Sequence, residues 1–198
     1  MLQNRRPLLL ALIATLIIIG AAIYIFYSTP ALHGAVITPP APMPDFTLQS
    51  DHGPVSLSDF RGKFIVLYFG YTACPDVCPT TLANLSDAMR KLGNKADQVQ
   101  IIFISVDWKR DTPQKLATYS KAFYPTFIGV TGTQSQIDKT TKDFGISYKF
   151  EVNQVGFYSV EHTATTLVLD RQRNLVLTWP YGTSPDDILS DLKVLTSK

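Results

Sequence analysis

Two cysteines, Cys74 and Cys78, stand four positions apart in Gly70-Tyr71-Thr72-Ala73-Cys74-Pro75-Asp76-Val77-Cys78-Pro79. Two thiolates at this spacing have two chemistries open to them: they can close a disulfide, or they can hold a soft metal ion. Each cysteine precedes a proline, whose ring disfavours helical geometry for the residue before it. The pair is therefore expected in a stiff loop, with Pro79 at the first position of the next helix and Cys78 at its N-cap. There the free amides and the helix dipole favour thiolate over thiol. The plain alternative is a structural disulfide, but closing so short a loop constrains the unfolded chain by only about 2 kcal/mol.

The elements around this loop must present it. Residues 64–69 form a continuous apolar run, β-branched and aromatic, as expected of a strand buried on both faces. Residues 80–92 carry Leu82, Leu85, Met89 and Leu92 at helical spacing and stop at Gly93. Residues 99–106 read as a second buried strand. Asp111-Thr112-Pro113 starts a helix with Asp111 as its cap, and Leu116, Tyr119 and Phe123 give that helix an inner face before Pro125. Residues 127–130 read as a short edge strand and 135–144 as a helix closed by Gly145, while 148–158 look like an insertion. Residues 165–169 and 175–179 form an antiparallel hairpin, and Ser184-Pro185-Asp186 caps a last helix running to about Leu195. Strands alternating with helices and ending in a hairpin plus a helix predict an α/β fold with a mixed sheet.

With 45% hydrophobic residues and 18 basic against 16 acidic side chains, the totals argue against disorder. Residues 8–27 carry no charge and reach the roughly 20 residues a bilayer-spanning helix needs. A cleaved signal peptide would have a shorter apolar stretch and a small-residue cleavage site, neither of which is clear here. Residues 1–27 are therefore expected to be a cytoplasmic tip and transmembrane anchor. Arg5 and Arg6 stay inside, and the rest is delivered across the membrane. Setting those two arginines aside leaves 16 basic and 16 acidic residues, so the exported part offers no electrostatic argument for nucleic acid. Residues 28–44 hold five prolines and predict an extended tether of roughly 50 Å; residues 45–198 are the size of one domain. A short leader without an Arg- and Ser-rich transit segment points to a single-pass protein of a bacterial inner membrane with its domain in the periplasm.

Four stretches in order resemble the Sco/SenC family of membrane-anchored copper proteins, within the thioredoxin-like superfamily. They are residues 68–79, Ser105-Val-Asp-Trp-Lys-Arg-Asp-Thr-Pro113, Phe127-Ile-Gly-Val-Thr-Gly132, and Glu161-His162 ahead of a strand. The likeness spans nearly all of residues 45–198. It implies a thioredoxin-like mixed sheet flanked by helices and a copper-binding assembly factor for the dinuclear copper A centre of cytochrome c oxidase. It also implies Cys74, Cys78 and His162 as ligands. The implied partners are the oxidase's copper-binding subunit, a copper donor and a thiol reductant. Redox thioredoxins place a cis-proline opposite the cysteines, whereas Thr163-Ala164-Thr165 has none, which suits a metal better than a mixed disulfide.

The remaining histidines, His33 in the linker and His52 in an expected turn, are not convincing ligands. Asp76 could steer a partner, and Asp107 and Asp111 match family positions. Two thiolates and an imidazole suit copper(I), which accepts three ligands. A different class of function is a thiol–disulfide oxidoreductase acting on the oxidase subunit, with Cys74 attacking and Cys78 resolving. A third is a copper or redox sensor whose loop changes shape. A peroxidase is disfavoured because Thr72 precedes Cys74 by two positions rather than three.

Overall fold

The computed structural model describes residues 10–20, 32–152 and 157–197, in two compact units, residues 1–31 and 32–198. In the first unit residues 10–20 form helix α1 with every side chain exposed. Among the described residues no helix is long and apolar enough to cross a membrane. Helix α1 covers the middle of the apolar run 8–27, and the rest of that run lies outside the described residues.

The second unit runs β1 (Ala35–Pro42), β2 (Thr47–Ser50), β3 (Gly53–Ser56), β4 (Phe64–Gly70), α2 (Val77–Leu92), β5 (Val99–Ser105), α3 (Pro113–Phe123) and β6 (Ile128–Val130). It continues through α4 (Gln134–Asp143), β7 (Tyr148–Val152), β8 (Tyr158–His162), β9 (Thr166–Leu169), β10 (Asn174–Trp179) and α5 (Pro185–Leu195). Six strands form the main sheet in the order β1-β10-β9-β4-β5-β6. β4, β5 and β6 are parallel; β9, β10 and β1 each run antiparallel to the neighbour nearer the centre. The mixed sheet expected from the alternation of elements is therefore present.

Every residue of β4 and β5 is buried, as their unbroken apolar runs predict. Their register sets Gly70 beside Ser105, and the Val106 amide donates to the Gly70 carbonyl at 2.8 Å. Both strands thus end at one level, and the loops that follow them emerge together at the carboxyl edge, where open α/β sheets place their ligands. Helix α2 turns Cys78, Leu82, Leu85, Met89 and Leu92 inward and ends at Gly93, whose φ of 64° needs a residue without a Cβ penalty.

Two expectations are corrected. The proline-rich segment is no free tether over residues 35–42, which pair with β10 as an edge strand; an edge can omit the amides that proline lacks. Helix α3 is capped by Thr112, whose hydroxyl accepts from the Lys115 amide, and not by Asp111. Within the stretch read as an insertion, Tyr148–Val152 pair with Tyr158–His162 as a separate two-stranded sheet.

Candidate metal centre

The loop after β4 is closed by the Cys74 amide donating to the Tyr71 carbonyl at 3.3 Å, leaving Cys74 half-buried. Helix α2 starts at Val77 with Asp76 as N-cap, so Cys78 lies in the first helical turn and not at the cap. The first turn does not use the amide that Pro79 lacks, so the helix can begin ahead of that proline. The Cys78 amide donates to the Cys74 sulfur at 3.4 Å, and the Cys78 side chain is completely buried. Gly70 makes room for it: a Cβ there would stand 2.8 Å from Cys78 Sγ and 2.8 Å from Phe103 Cε2.

His162 arrives from the opposite side as the last residue of β8, paired with Tyr148. Its Nδ1 lies 3.1 Å from the Thr163 carbonyl, which can only accept, so Nδ1 carries the proton and Nε2 keeps its lone pair. That Nε2 faces Cys78 Sγ at 3.5 Å. Burial lowers the histidine's pKa, with the Thr163 hydrogen bond opposing, so the ring favours its neutral, donor form. The rings of Tyr71 and Tyr68 stand edge-on to the imidazole at 6.0 and 6.3 Å. The structure thus brings together the three residues singled out in the sequence: the ligand atoms of Cys74, Cys78 and His162 all lie within 4.8 Å of one another.

The expectation of a resting thiolate at Cys78 is overturned. Burial pushes this thiol up to about 12, and a backbone hydrogen bond at Tyr71 offsets only part of that. Desolvation outweighs the helix N-terminus because the sulfur sits inside the core rather than at the helix tip. A cation beside it would reverse the balance, since thiolate is the ligating form. Two soft sulfurs and a neutral imidazole nitrogen fit copper(I) in chemistry and number.

Sequence reasoning missed the supports. The buried carboxylate of Asp111 accepts from the Thr72 amide at 2.9 Å, the Thr72 hydroxyl, the Ser105 hydroxyl at 2.6 Å and Lys115 Nζ at 3.0 Å. It ties the cysteine loop to the end of β5. Asp107, also fully buried, accepts from Arg110 Nε and from the Tyr158 hydroxyl at 2.8 Å. Arg110 in turn donates to the Tyr158 carbonyl at 3.0 Å and stacks on that ring at 3.7 Å. This clamp joins the hairpin that carries His162 to the β5–α3 connection. The charged spacing of residues 107–111 was the available signal, and it reads equally well as a solvated helix start.

An open groove of about 380 Å³ runs between Cys74, Pro75 and Val77 on one side and Val160 and His162 on the other, with Asp76 and Glu161 among its lining residues. Asp76 accepts from the Thr80 hydroxyl at 3.2 Å. His33 is held by Asp191 and His52 lies beside Asp51, so neither joins the group.

The SCO1/SenC family profile matches residues 36–197. Apo Sco1 from Thermus thermophilus is 39% identical, with a TM-score of 0.78 over 85% of this chain and 99% of that one. ScoI from Bradyrhizobium japonicum, solved with copper bound, is 35% identical, with a TM-score of 0.72 over 78% of this chain and 99% of that one. BsSco, a member of the Sco family of cytochrome c oxidase assembly proteins in which a disulfide switch was identified, is 26% identical. Its TM-score is 0.62 over 82% of this chain and 98% of that one.

Proposed function

The chain belongs to the SCO1/SenC family and has its thioredoxin-like fold, and on that premise we propose that it is a copper metallochaperone. It takes up copper on Cys74, Cys78 and His162 and passes the ion to the copper A subunit of cytochrome c oxidase. The observation that carries this reading is the convergence of two sulfurs and one imidazole nitrogen within 4.8 Å beside an open groove. Three ligands leave a side free, so an incoming thiolate can bond to the cargo before the chain releases it. Half-buried Cys74 faces the groove and is the natural point of exchange; fully buried Cys78 holds on longest. In the same proposal residues 8–27 anchor the chain in an inner membrane with Arg5 and Arg6 on the cytoplasmic side and the folded domain in the periplasm.

The test is an anaerobic copper(I) titration of the fully reduced chain against a competing chelator, with wild type beside His162→Ala. One tight equivalent that is lost or greatly weakened in the variant is expected. An affinity untouched by the substitution would remove His162 from the ligand set, and no tight binding at all would end the chaperone reading.

A second reading rests on a different observation. Cys74 is the more accessible sulfur and receives the Cys78 amide hydrogen, while Cys78 lies behind it, an attacking and a resolving thiol in order. Cys74 thiolate would displace one sulfur of a partner disulfide, and Cys78 would then displace the second, leaving the partner reduced and this chain oxidised. A Cys78→Ser variant should accumulate the mixed disulfide with the oxidase subunit; failure to trap any would dismiss this activity.

A further inference from the structure

Tyr68 projects from β4 into the core. Its side chain is fully buried, and its hydroxyl has no hydrogen-bond partner. A buried, unpaired phenol is a cost that native structures rarely leave unexplained. The surroundings are specific. Its Cε1 lies 3.3 Å from the point where a Cβ on Gly70 would sit, and Cys78 Sγ lies 2.8 Å from that same point. The ring also stands edge-on to His162. The tyrosine therefore touches the surroundings of two of the three proposed ligands.

Burial and the neighbouring cysteines raise the phenol's pKa far above neutrality, so the hydroxyl keeps its hydrogen. Thr81 and Cys78 are polar side chains that bear on the phenol's ionisation, and the Cys78 sulfur and the edge of the tyrosine ring converge on the space beside Gly70. The Thr81 hydroxyl already spends its own hydrogen on the Val77 carbonyl at 2.8 Å and can only accept from Tyr68. A protonated thiol is a weak acceptor, whereas a sulfur bearing negative charge draws a charge-assisted hydrogen bond. The unpaired donor is thus carried by a ring that shares the space beside Gly70 with an atom that becomes a strong acceptor only when the site is loaded.

We propose that Tyr68 is a positioning residue for Cys78: its hydroxyl, unpartnered beside the thiol, donates to the Cys78 sulfur when that sulfur is a copper-bound thiolate. This rests on the metallochaperone reading and adds a residue to it. A hydrogen bond to a ligating sulfur withdraws electron density from it, and hydrogen bonding around such sulfurs tunes the potential of a copper site. The tyrosine would therefore shift the site toward copper(I).

Tyr68→Phe keeps the ring and removes the hydroxyl. The full chain, wild type and variant, is loaded with copper(II) without oxygen, and the thiolate-to-copper absorption and the reduction potential are read. In the variant the band should move to lower energy and the potential should fall, with one copper still bound and circular dichroism unchanged. A band and potential identical to wild type overturn the assignment alone. Absence of tight copper(I) binding by the reduced wild type overturns it together with the metallochaperone reading. Should the variant not fold, the wild-type chain decides by NMR before and after copper(I). A Tyr68 hydroxyl proton that slows its exchange and moves downfield on loading supports the bond, and one that does neither overturns it.

Discussion

The sulfur side and the histidine side of the metal-binding group are held by different means. Cys78 sits against β4 and β5, two strands with no exposed residue, and the cysteine loop is fastened to β5 through the four donors on Asp111. His162 ends the β7–β8 hairpin, a two-stranded sheet separate from the main one among the described residues. In β7 and β8 only Val160 is fully buried; Tyr148, Phe150 and Tyr158 are half-buried. Polar contacts fasten the hairpin instead: buried Asp107 and its partner Arg110 hold Tyr158 at the start of β8, the Tyr148 hydroxyl donates to Asp138, and the Ser147 amide donates to the Thr163 hydroxyl at its base. Main-chain register and close packing therefore set the sulfurs, while a polar clamp sets the imidazole. Regions with few buried apolar contacts open at lower free energy than core strands. The third donor is accordingly the one whose position can be altered without disturbing the other two.

The strongest way to break this asymmetry is Arg110→Ala. It leaves the Asp107 carboxylate buried with only the Tyr158 hydroxyl and local amide contacts, a loss of about 3–5 kcal/mol of stability for an uncompensated buried charge. Because the clamp also places the hairpin, copper(I) affinity should drop about 10–100-fold, the usual effect of removing an outer support. Urea unfolding and chelator competition read the two effects separately. A large loss of stability with affinity unchanged would show that the clamp does not place His162.

Gly70→Ala perturbs the other side. The added methyl meets Cys78 Sγ and Phe103 at 2.8 Å, and overpacking of this kind costs about 1–3 kcal/mol. The sulfur must yield or the strands must part, so affinity should fall while the hairpin stays in place. Proton NMR of the apo protein should show shifts confined to β4, β5 and the start of α2. Shifts of equal size throughout β7 and β8 would mean that the two sides are not independent.

Parts of this arrangement are legible in the residues, and the reason is physical. β4 and β5 are visible because a strand buried on both faces has to be apolar throughout, and the Ser184 cap of α5 because its hydroxyl accepts from the Asp187 amide. β1 is hidden because proline ordinarily signals a spacer, and only the strand's place at the sheet edge makes proline tolerable. The β7–β8 hairpin is hidden because its burial alternates weakly, as a two-stranded sheet packed on one side dictates. Asp111 and Thr112 show why the supports escaped notice: both are good caps, and only the tertiary positions of Thr72 and Ser105 turn Asp111 inward. Gly70 and Tyr68 look like ordinary strand residues until the sulfur is seen against them.

The gentlest perturbation is pH, and it separates the two sides by window. In the reduced, metal-free protein burial holds His162 below its ordinary 6.5, with the Thr163 carbonyl opposing. Burial works to raise Asp111, but hydrogen bonds from Ser105, Thr72 and Lys115 outweigh it and hold the carboxyl below its ordinary 3.8. Both groups resist protonation more in the folded chain than in the unfolded one. The stability each contributes is whole above its unfolded value and is lost as pH falls through its folded value. The histidine side should therefore begin to weaken as pH drops below 6.5, and the sulfur side only below 3.8. Urea midpoints measured across a pH series should slope downward from about pH 6.5 toward pH 5, and His162→Gln should flatten that limb while leaving the steeper acid limb intact. Asp111→Asn, less stable at every pH, should flatten the acid limb instead. If His162→Gln left the upper limb unchanged, the imidazole would not be the group that couples the hairpin to proton concentration, and the distinction between the two sides would rest on packing alone.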